Sequence, residues 1–321
     1  HLPVAMNRIF AYILLLMVAL PFYLNAQPWH LPLHFDSRLK YSAQLQKYDG
    51  LHTALKPLII DKGDIINNTG HPPEKPAFWK RLLTDNIFYH TDSVFSIYVN
   101  PLFDLRYGRE TTAQKTVWTN TRGIQVRGHI GQKLSFYSDF HENQAVFEDY
   151  LDMYIKKQGV IPGQGAPKSF NKTGYDFSSA SGYLTFQPFN SLILEAGHGK
   201  HFIGEGYRSI LLSDNSFHYP YLKIITRYKK FQYTVIYNEL LNFSGEYYHY
   251  HYKKYGSFLY LSWSPSQQFE AGLFEGIIWN IYSDENKPEA IRPAFFLPVI
   301  GIRKIGMPLN GENNMVYGFN V

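Results

Sequence analysis

The stretch FSIYVNPLFDLRY, residues 95–107, decides the fold class of this chain. Apolar or aromatic residues occupy its alternate positions, which are Phe95, Ile97, Val99, Pro101, Phe103, Leu105 and Tyr107. The positions between them include Ser96, Asn100, Asp104 and Arg106. A period of two is typical of a β-strand with one apolar and one polar face. The run is also longer than the about 9–11 residues that a tilted strand needs to cross a bilayer.

The same alternation recurs along the chain, at residues 124–130 and 134–141. Short turns are expected at residues 131–132, 188–190, 229–230 and 264–267. Long connections are expected at residues 108–115, 143–181, 199–220 and 242–255. Alternating short and long connections are typical of outer-membrane barrels, whose periplasmic turns are short and whose outer loops are long. We therefore predict an all-β fold, an antiparallel transmembrane outer-membrane β-barrel. The strand-like residues 315–321 predict that this barrel is C-terminally truncated.

The chain divides into three predicted segments. After a few upstream residues, the segment 1–26 combines a charged start, an apolar run and a small-residue cleavage site, which is the pattern of a secretory signal peptide. Residues 27–92 lack the alternation and are expected to form a periplasmic or plug segment, helical over residues 77–86. Residues 93–321 are expected to form the barrel in the outer membrane of a Gram-negative cell, with membrane lipid as a partner.

Composition excludes several classes of protein. The chain has 321 residues, of which 45% are hydrophobic, so disorder is excluded for most of it. It contains no cysteine, which rules out disulfides, thiolate zinc sites and a cysteine nucleophile. The net charge of +5 comes from dispersed basic residues and not from a basic run, so nucleic acid is not an expected partner.

The glycine-rich stretch LEAGHGKHFIGEGYRSILLSDNSF, residues 194–217, raises the question of catalysis. A phosphate-binding loop needs GxxxxGK followed by Ser or Thr, and this stretch has glutamate where the lysine belongs. The triplet SDN at residues 213–215 matches an element of serine β-lactamases, but the SxxK at residues 169–172 lies in a Gly/Pro-rich loop instead of opening a helix. His249 and His251 lack a third clustered metal ligand. We therefore predict no enzymatic activity, no metal site and no cofactor.

The same motif carries a family resemblance. The stretch GHGKHFIGEGYRSILLSDNSFHYPYLKI, residues 197–224, resembles the central motif of the Wzi-type capsule assembly protein family and of related outer-membrane proteins associated with gliding motility. The stretches TNTRGIQVRGHIG (residues 119–131), HENQAVFEDY (141–150) and VIPGQG (160–165) are similar to the second of these branches. The resemblance covers roughly residues 94–240.

The resemblance implies a large antiparallel outer-membrane barrel without enzymatic activity, which in the Wzi branch holds polysaccharide at the cell surface. We therefore expect a protein for the attachment or assembly of capsule or exopolysaccharide, with surface polysaccharide and other envelope proteins as partners. The alternatives are a scaffold for gliding motility or adhesion and a porin-like channel. The chain departs from the Wzi branch at residues 202–204, where Phe-Ile-Gly stands and a tryptophan is usual.

The motif supplies the expected ligand-binding residues and loop glycines. The residues expected to bind a glycan are His198, Lys200, His201, Tyr207, Arg208, Ser213 and Asn215. The glycines expected to let the loop fold back are Gly197, Gly199, Gly204 and Gly206. We expect residues 199–220 to fold into the barrel mouth and to bury the apolar side chains of Phe202, Ile203, Ile210, Leu211 and Leu212. Arg208 is expected to point towards the face of Arg127 and His129, or to bind an acidic group of a sugar.

Overall fold

The computed structural model describes residues 28–31, 33, 51–61, 86–241, 253–280, 293–303 and 314–321. Three predictions lie outside these residues. They are the signal peptide at residues 1–26, all but the last residue of the helix expected at residues 77–86, and the pair His249 and His251.

Strands dominate the described part of the chain. They are β1 Pro28–His30, β2 Leu55–Lys56, β3 Ile59–Asp61, β4 Phe88–Thr91, β5 Phe95–Glu110, β6 Lys115–Ile130, β7 Leu134–Val146, β8 Lys168–Phe170, β9 Gly174–Phe189, β10 Leu192–Gly199, β11 Phe202–Ile203, β12 Tyr219–Tyr228, β13 Phe231–Leu241, β14 Lys253–Ser266, β15 Phe269–Asn280 and β16 Asn314–Asn320. The helical elements of the described ranges are α1, at Asp149–Gln158, and a 3-10 turn at Pro293–Phe296.

Most of these strands form one 12-stranded sheet in which neighbours along the chain are also neighbours in space. Its order is β4-β5-β6-β7-β9-β10-β12-β13-β14-β15-β16, and β8 pairs with β9 beside this path. Two small pairings, β1 with β3 and β2 with β11, lie apart from the sheet. The pairings are antiparallel, so the prediction of an all-β antiparallel fold is confirmed. Within the described ranges the sheet is open, with β4 and β16 at its edges, and β4 precedes the boundary predicted at residue 93.

Most connections between strands have the predicted lengths. Tight turns join β6 to β7, β9 to β10, β12 to β13 and β14 to β15, as predicted. Residues 108–115 differ, because β5 and β6 stay paired as far as Glu110 and Lys115 and only residues 111–114 turn. The paired ends of β5 and β6 carry charged residues of types that are common in loops, which is why the sequence predicted a loop here. Strand pairing, however, uses backbone groups and tolerates polar side chains that remain in water.

Between β7 and β9 the chain forms α1 and β8, where a long connection was predicted. Asp149 and Asp152 lie in the first turn of α1 and Lys156 in its last turn, which suits the helix dipole. Gly159 ends the helix in the left-handed conformation, and its N–H donates to Ile155 O. Among the residues that the structure describes, no helix has both the length and the apolar character needed to cross a membrane.

The two faces of the sheet differ in which side chains are buried and which are exposed. Polar residues on one face, named the inner face, are buried; they include Ser96, His129, Ser135, Thr185, Gln187, Glu195, Lys223, Gln232, Thr234, Asn238 and Ser262. Large apolar residues on the other face, named the outer face, are exposed; they include Phe103, Leu105, Ile124, Ile130, Phe140, Leu184, Leu222, Trp263, Leu273 and Phe319. A soluble β-sandwich has the reverse arrangement, with its apolar residues buried between two sheets.

Residues 28–31 and 51–61, named the inner segment, lie on the inner face. Its strand β2 pairs with β11, and the N–H of Gly204 donates to Ala54 O at 2.9 Å. This pairing joins an apolar cluster whose buried members are Ala54, Leu55, Ile203, Tyr219, Tyr221, Ile236, Phe258, Tyr260 and Phe274. The chain itself therefore fills the space beside the inner face at this level.

The inner segment contacts strands that are far apart in the sheet. Tyr98 of β5 packs against the apolar cluster of Leu31, Leu58 and Ile60, while Glu270 of β15 accepts a hydrogen bond from the N–H of Thr53 at 2.6 Å. The strand order places eight inter-strand steps between β5 and β15. The inner segment therefore bridges most of the width of the inner face.

Replacing Glu270 should release part of the inner segment from the sheet. Glu270 Oε2 accepts hydrogen bonds from the N–H groups of Thr53 and Ala54, at 2.6 and 3.2 Å. The Glu270→Ala variant leaves both donors without this acceptor, which we expect to cost about 2–4 kcal/mol. Limited proteolysis should then cut the N-terminal part of the chain faster. Glu142→Ala is the matched control, because Glu142 faces Arg122 at 3.6 Å in an exposed pair. Equal cleavage of the two variants would contradict the anchoring role of Glu270.

Candidate functional site

The glycine-rich motif is held in place by the carboxylate of Glu195, on β10, which is 1% exposed. His30 Nε2 and Thr185 Oγ1 lie 2.6 and 2.9 Å from its Oε2. Tyr221 OH and Lys223 Nζ lie 2.7 and 2.6 Å from its Oε1. Residues of β1, β9 and β12 therefore meet at one buried anion.

The charges of this cluster are balanced. Lys223 is as deeply buried as Glu195 and supplies the compensating positive charge. A carboxylate only accepts hydrogen bonds, so His30 Nε2 must carry a proton and donate it. Burial lowers the pKa of His30, which keeps its imidazole neutral. His30 thus adds a hydrogen bond between the inner segment and the sheet without adding a second positive charge.

An aromatic stack extends from this cluster along the inner face. The ring of His30 lies over Tyr183 with centroids 3.8 Å apart, and Tyr183 lies over Tyr137 with centroids 5.3 Å apart. The hydroxyl of Tyr137 donates to Asp139 at 2.9 Å. Asp139 in turn accepts from the N–H and the hydroxyl of Ser181, at 2.8 and 2.7 Å. Because these polar groups are partnered with one another, they can be buried beside the inner segment at low cost.

Gly197 allows Tyr221 to reach Glu195. Gly197 and Tyr221 are direct partners between β10 and β12. A Cβ at residue 197 would lie 2.6 Å from Gly182 O and 2.8 Å from the hydroxyl oxygen of Tyr221. At Gly199, by contrast, the nearest atom would be a ring carbon of Tyr221 at 3.5 Å, which is an ordinary contact. Packing therefore requires glycine at residue 197 but not at residue 199.

Residues 202–212 form a hairpin with a buried base. The N–H of Ile203 donates to Leu212 O at 3.0 Å, and the hydroxyl of Ser209 donates to Ile203 O. Phe202 and Ile203 are buried in the base, as predicted. Gly204 has a φ of 144°, a conformation that side chains disfavour, and it starts the exposed tip.

The apolar residues beyond the tip are only partly buried. Leu211 and Leu212 pack against the core cluster, in agreement with the prediction. Ile210 is 97% exposed, so the prediction that it is buried is wrong. The hydroxyl of Ser209 accepts the N–H of Leu211 at 3.0 Å, and this local turn places Ile210 on the far side from the core.

Tyr207 and Arg208 form an exposed pair at the hairpin tip. The guanidinium carbon of Arg208 lies 5.2 Å from the ring centroid of Tyr207, which is 67% exposed. The expected direction of Arg208, towards Arg127 and His129, is therefore wrong. His129 is 3% exposed on the inner face, whereas Arg208 is exposed beside Tyr207. The neighbouring Glu205 instead ties the tip to the inner segment, where it accepts from the hydroxyl of Thr53 at 2.7 Å.

His201 belongs to the interior. Its Nδ1 lies 3.2 Å from the hydroxyl of Tyr219, and its ring meets that of Tyr221 edge-on, with centroids 4.4 Å apart. Burial and the neighbouring Lys223 hold the pKa of His201 well below its ordinary value, so the ring is neutral. A glycan approaching from outside does not reach His201 at this position, because the residue is fully enclosed.

Lys200 joins the hairpin to the loop that carries the VIPGQG stretch. Its Nζ donates to Gly163 O. Burial lowers the pKa of Lys200, and the nearby Asp214 opposes this shift. Phe217 packs closely on Gly165, where a Cβ would lie 3.1 Å from the ring. Two stretches that are far apart in the sequence thus form one structured surface.

The remaining expected residues take part in local contacts. His198 Nδ1 and His218 Nδ1 both lie within hydrogen-bonding distance of Ala180 O, at 3.1 and 2.8 Å. The hydroxyl of Ser213 accepts the N–H of Asn215 at 3.2 Å, which closes a small turn. Asn215 is exposed.

The seven expected glycan residues therefore do not converge on one site. Those open to an external ligand are Tyr207, Arg208 and Asn215, and those engaged in the packing of the loops are His198, Lys200, His201 and Ser213. In the described part of the chain, no group of three or more His, Asp or Glu residues is arranged to hold a metal ion. The chemistry available to a ligand is thus that of an exposed aromatic ring beside a guanidinium group.

Glu195, Lys223 and His30 are not among the residues predicted from the sequence. A signal exists for Glu195 and Lys223, because their neighbours in the strand, such as Leu194 and Leu222, are apolar and belong to the outer face. The alternation therefore assigns Glu195 and Lys223 to the polar face. It does not reveal that they pair with each other or with His30.

Substitutions at the two glycines of β10 should separate the packing requirement from a general effect of glycine loss. We expect Gly197→Ala to displace Tyr221 from Glu195 and to lower the free energy of unfolding by roughly 1–3 kcal/mol, because an added methyl group overpacks this contact. Gly199→Ala should have a clearly smaller effect. Urea titration followed by tyrosine and tryptophan fluorescence measures both variants. Equal destabilisation would contradict the specific role of Gly197.

Acid should loosen the packing around His218. Burial, together with Lys200, lowers the pKa of His218 from 6.5 to about 4. Between these pH values the unfolded chain binds a proton that the folded loop does not, so this contribution to stability is lost as the pH falls. The protection factors of residues 200–218, which are the ratios of the intrinsic to the observed exchange rate at each pH, should therefore fall from pH 7 to pH 4, and His218→Gln should weaken that dependence. His90→Gln, at an exposed site, is the control. An unchanged pH profile in His218→Gln would refute the assignment.

No family model, no curated protein and no solved structure matches this chain. The function is therefore argued from the residues and their geometry.

Proposed function

We propose that this chain works as a non-catalytic outer-membrane β-barrel that associates with cell-surface polysaccharide, in the attachment or assembly of capsule or exopolysaccharide. The observation that carries the proposal is the reversed distribution of side chains, with polar residues buried on the inner face and large apolar residues exposed on the outer face. Contact of such an outer face with water is unfavourable, whereas contact with hydrocarbon is favourable.

Two features support placement in a bilayer. Phe103 and Leu105 are 68% and 75% exposed, and removing such a side chain from water contributes roughly 1.5–3 kcal/mol. The strands β5, β6 and β9 have 16 residues each, compared with about 5–6 residues in a common globular strand. The proposal requires the edges β4 and β16 to be paired in the membrane, because unpaired backbone groups are costly in hydrocarbon.

The exposed pair of Tyr207 and Arg208 supports the polysaccharide part of the proposal. An aromatic ring suits the apolar face of a sugar, and a guanidinium group suits an acidic substituent. Phe202 and Ile203 hold the base of the hairpin in the core, so the tip loses little freedom when a ligand binds. The resemblance of residues 197–224 to the Wzi-type motif points to the same class of ligand.

A porin-like channel is less favoured, because the inner segment and the hairpin base pack on the inner face of the sheet. A scaffold for motility or adhesion would share the membrane placement and differ in its partner. Loss of motility with unchanged polysaccharide, in a strain that lacks the gene, would favour the scaffold.

Membrane fractionation tests the placement. The complete protein should sediment with the outer membrane, and its gel migration should change on heating, as expected of a barrel that resists detergent until it is heated. Recovery of the protein as a soluble, monodisperse periplasmic species would overturn the proposal.

Removing the exposed pair should impair polysaccharide retention without impairing assembly. In a strain that lacks the gene, complementation with the double variant Tyr207→Ala and Arg208→Ala should leave several-fold less polysaccharide on the cell surface than the unchanged gene does. Thr173→Ala, in the exposed turn between β8 and β9, is the control. Both variants should reach the outer membrane in equal amounts. Equal polysaccharide in the two strains would contradict a role for the hairpin tip.

A further inference from the structure

Residues 293–303, named the strap, lie on the outer face of the sheet. The hydroxyl groups of Tyr237 and Tyr233 donate to the backbone oxygens of Phe296 and Pro298, at 2.7 and 3.0 Å. Both tyrosines belong to the outer face, because they alternate along β13 with its buried inner-face residues. The strap therefore covers part of a face that is exposed elsewhere.

A buried ion pair holds one end of the strap. Arg303 Nε and the N–H of Gly301 donate to the two carboxylate oxygens of Glu275. Arg303 and Glu275 are both 0% exposed. Glu275 is the direct partner of Leu259, and Leu259 is the direct partner of Val235, so all three share the outer face. The ion pair thus lies beneath the strap and not in the interior of the sheet.

The sheet supplies hydrogen-bond partners to the irregular backbone of the strap. Besides the two tyrosine contacts, Arg303 donates to Phe295 O at 3.2 Å and to the hydroxyl of Ser257 at 2.7 Å. The N–H of Leu297 donates to Ala294 O at 3.2 Å. Irregular backbone is tolerated at membrane depth only where it is buried in protein or lines a water-filled cavity. The hydrogen bonds turn the carbonyl groups of Phe295, Phe296 and Pro298 towards the sheet, where they are covered. They also explain why polar side chains stand on an otherwise apolar face.

The exposed surface of the strap is apolar. Leu297, Val299 and Ile302 are 44–49% exposed. Phe296 is 42% exposed, although its ring packs against Tyr237 and Trp279 of the sheet, with centroids 5.6 and 5.7 Å apart. On the opposite side, Phe295 is buried with its ring centroid 4.7 Å from that of Trp279. The strap therefore places its aromatic anchor and its arginine against the sheet, and it continues the apolar character of the outer face.

We propose that the strap is a lipid-contacting surface, in which Phe296, Leu297, Val299 and Ile302 bind acyl chains in place of the strand side chains that the strap covers. This inference rests on the proposed membrane placement. It implies that one part of the outer face contacts lipid through the strap and not through the strands themselves. Acyl chains fit this surface better than lipid headgroups do, because Arg303 is the only charged residue of the strap and it is buried in an ion pair.

Quenching of tryptophan fluorescence by brominated phospholipid tests the inference. The complete protein is reconstituted into vesicles of phosphatidylcholine, either unmodified or brominated on its acyl chains. Three proteins with a single tryptophan are compared, the native tryptophans being otherwise replaced by phenylalanine. The first retains Trp279 beneath the strap, the second carries Val299→Trp on the exposed surface of the strap, and the third carries Leu273→Trp on the uncovered outer face. We expect the brominated lipid to reduce the emission of the second and third proteins and to leave that of the first nearly unchanged.

The outcomes separate this inference from the proposed function. If the Leu273→Trp protein is quenched and the Val299→Trp protein is not, the strap does not face lipid, although the membrane placement holds. If neither is quenched, the membrane placement itself fails. Quenching of Trp279 in the first protein would show that the strap does not cover this site. Heat-modifiable migration verifies that each protein is folded, and Leu297→Trp provides a second strap reporter if Val299→Trp is not folded.

Discussion

The carboxylate of Glu195 constrains the rest of the structure, because a charge so deeply buried is stable only when it is fully compensated. Its partners come from separate parts of the chain: His30 from the inner segment, Thr185 from β9, and Tyr221 with Lys223 from β12. Each contact requires the others to be in place. The cluster therefore couples the position of the inner segment to the register of three neighbouring strands.

The same requirement explains the two faces of the sheet. Polar side chains on the inner face lie beneath the inner segment and the hairpin base, and those around Glu195 and Asp139 satisfy one another. On the outer face, the strap bonds the polar groups of Tyr233, Tyr237 and Glu275, and apolar residues remain exposed. At these places, both faces follow the rule that buried polar groups are partnered.

The hairpin of residues 202–212 has a buried base that contributes to folding and an exposed tip that is proposed to bind the ligand. Its base, with Phe202 and Ile203, is part of the core cluster, whereas Tyr207 and Arg208 at its tip are exposed. Changes at the base are therefore expected to affect stability, and changes at the tip to affect binding. Lys200 extends this arrangement by joining the hairpin to the neighbouring loop through Gly163.

The sequence by itself determined the antiparallel strands and most tight turns, because side-chain alternation and turn residues are local signals that need no partner to be recognised. Strand parity also carries a signal that places Glu195 and Lys223 on the polar face, although neither was predicted as a functional residue. The tertiary structure alone decided that these residues pair, that His30 joins them, that Ile210 and Arg208 are exposed, and that Arg303 reaches Glu275 on the outer face. These contacts join residues that are distant in the chain, and their formation depends on the strand order and register of the whole sheet, which no local pattern encodes.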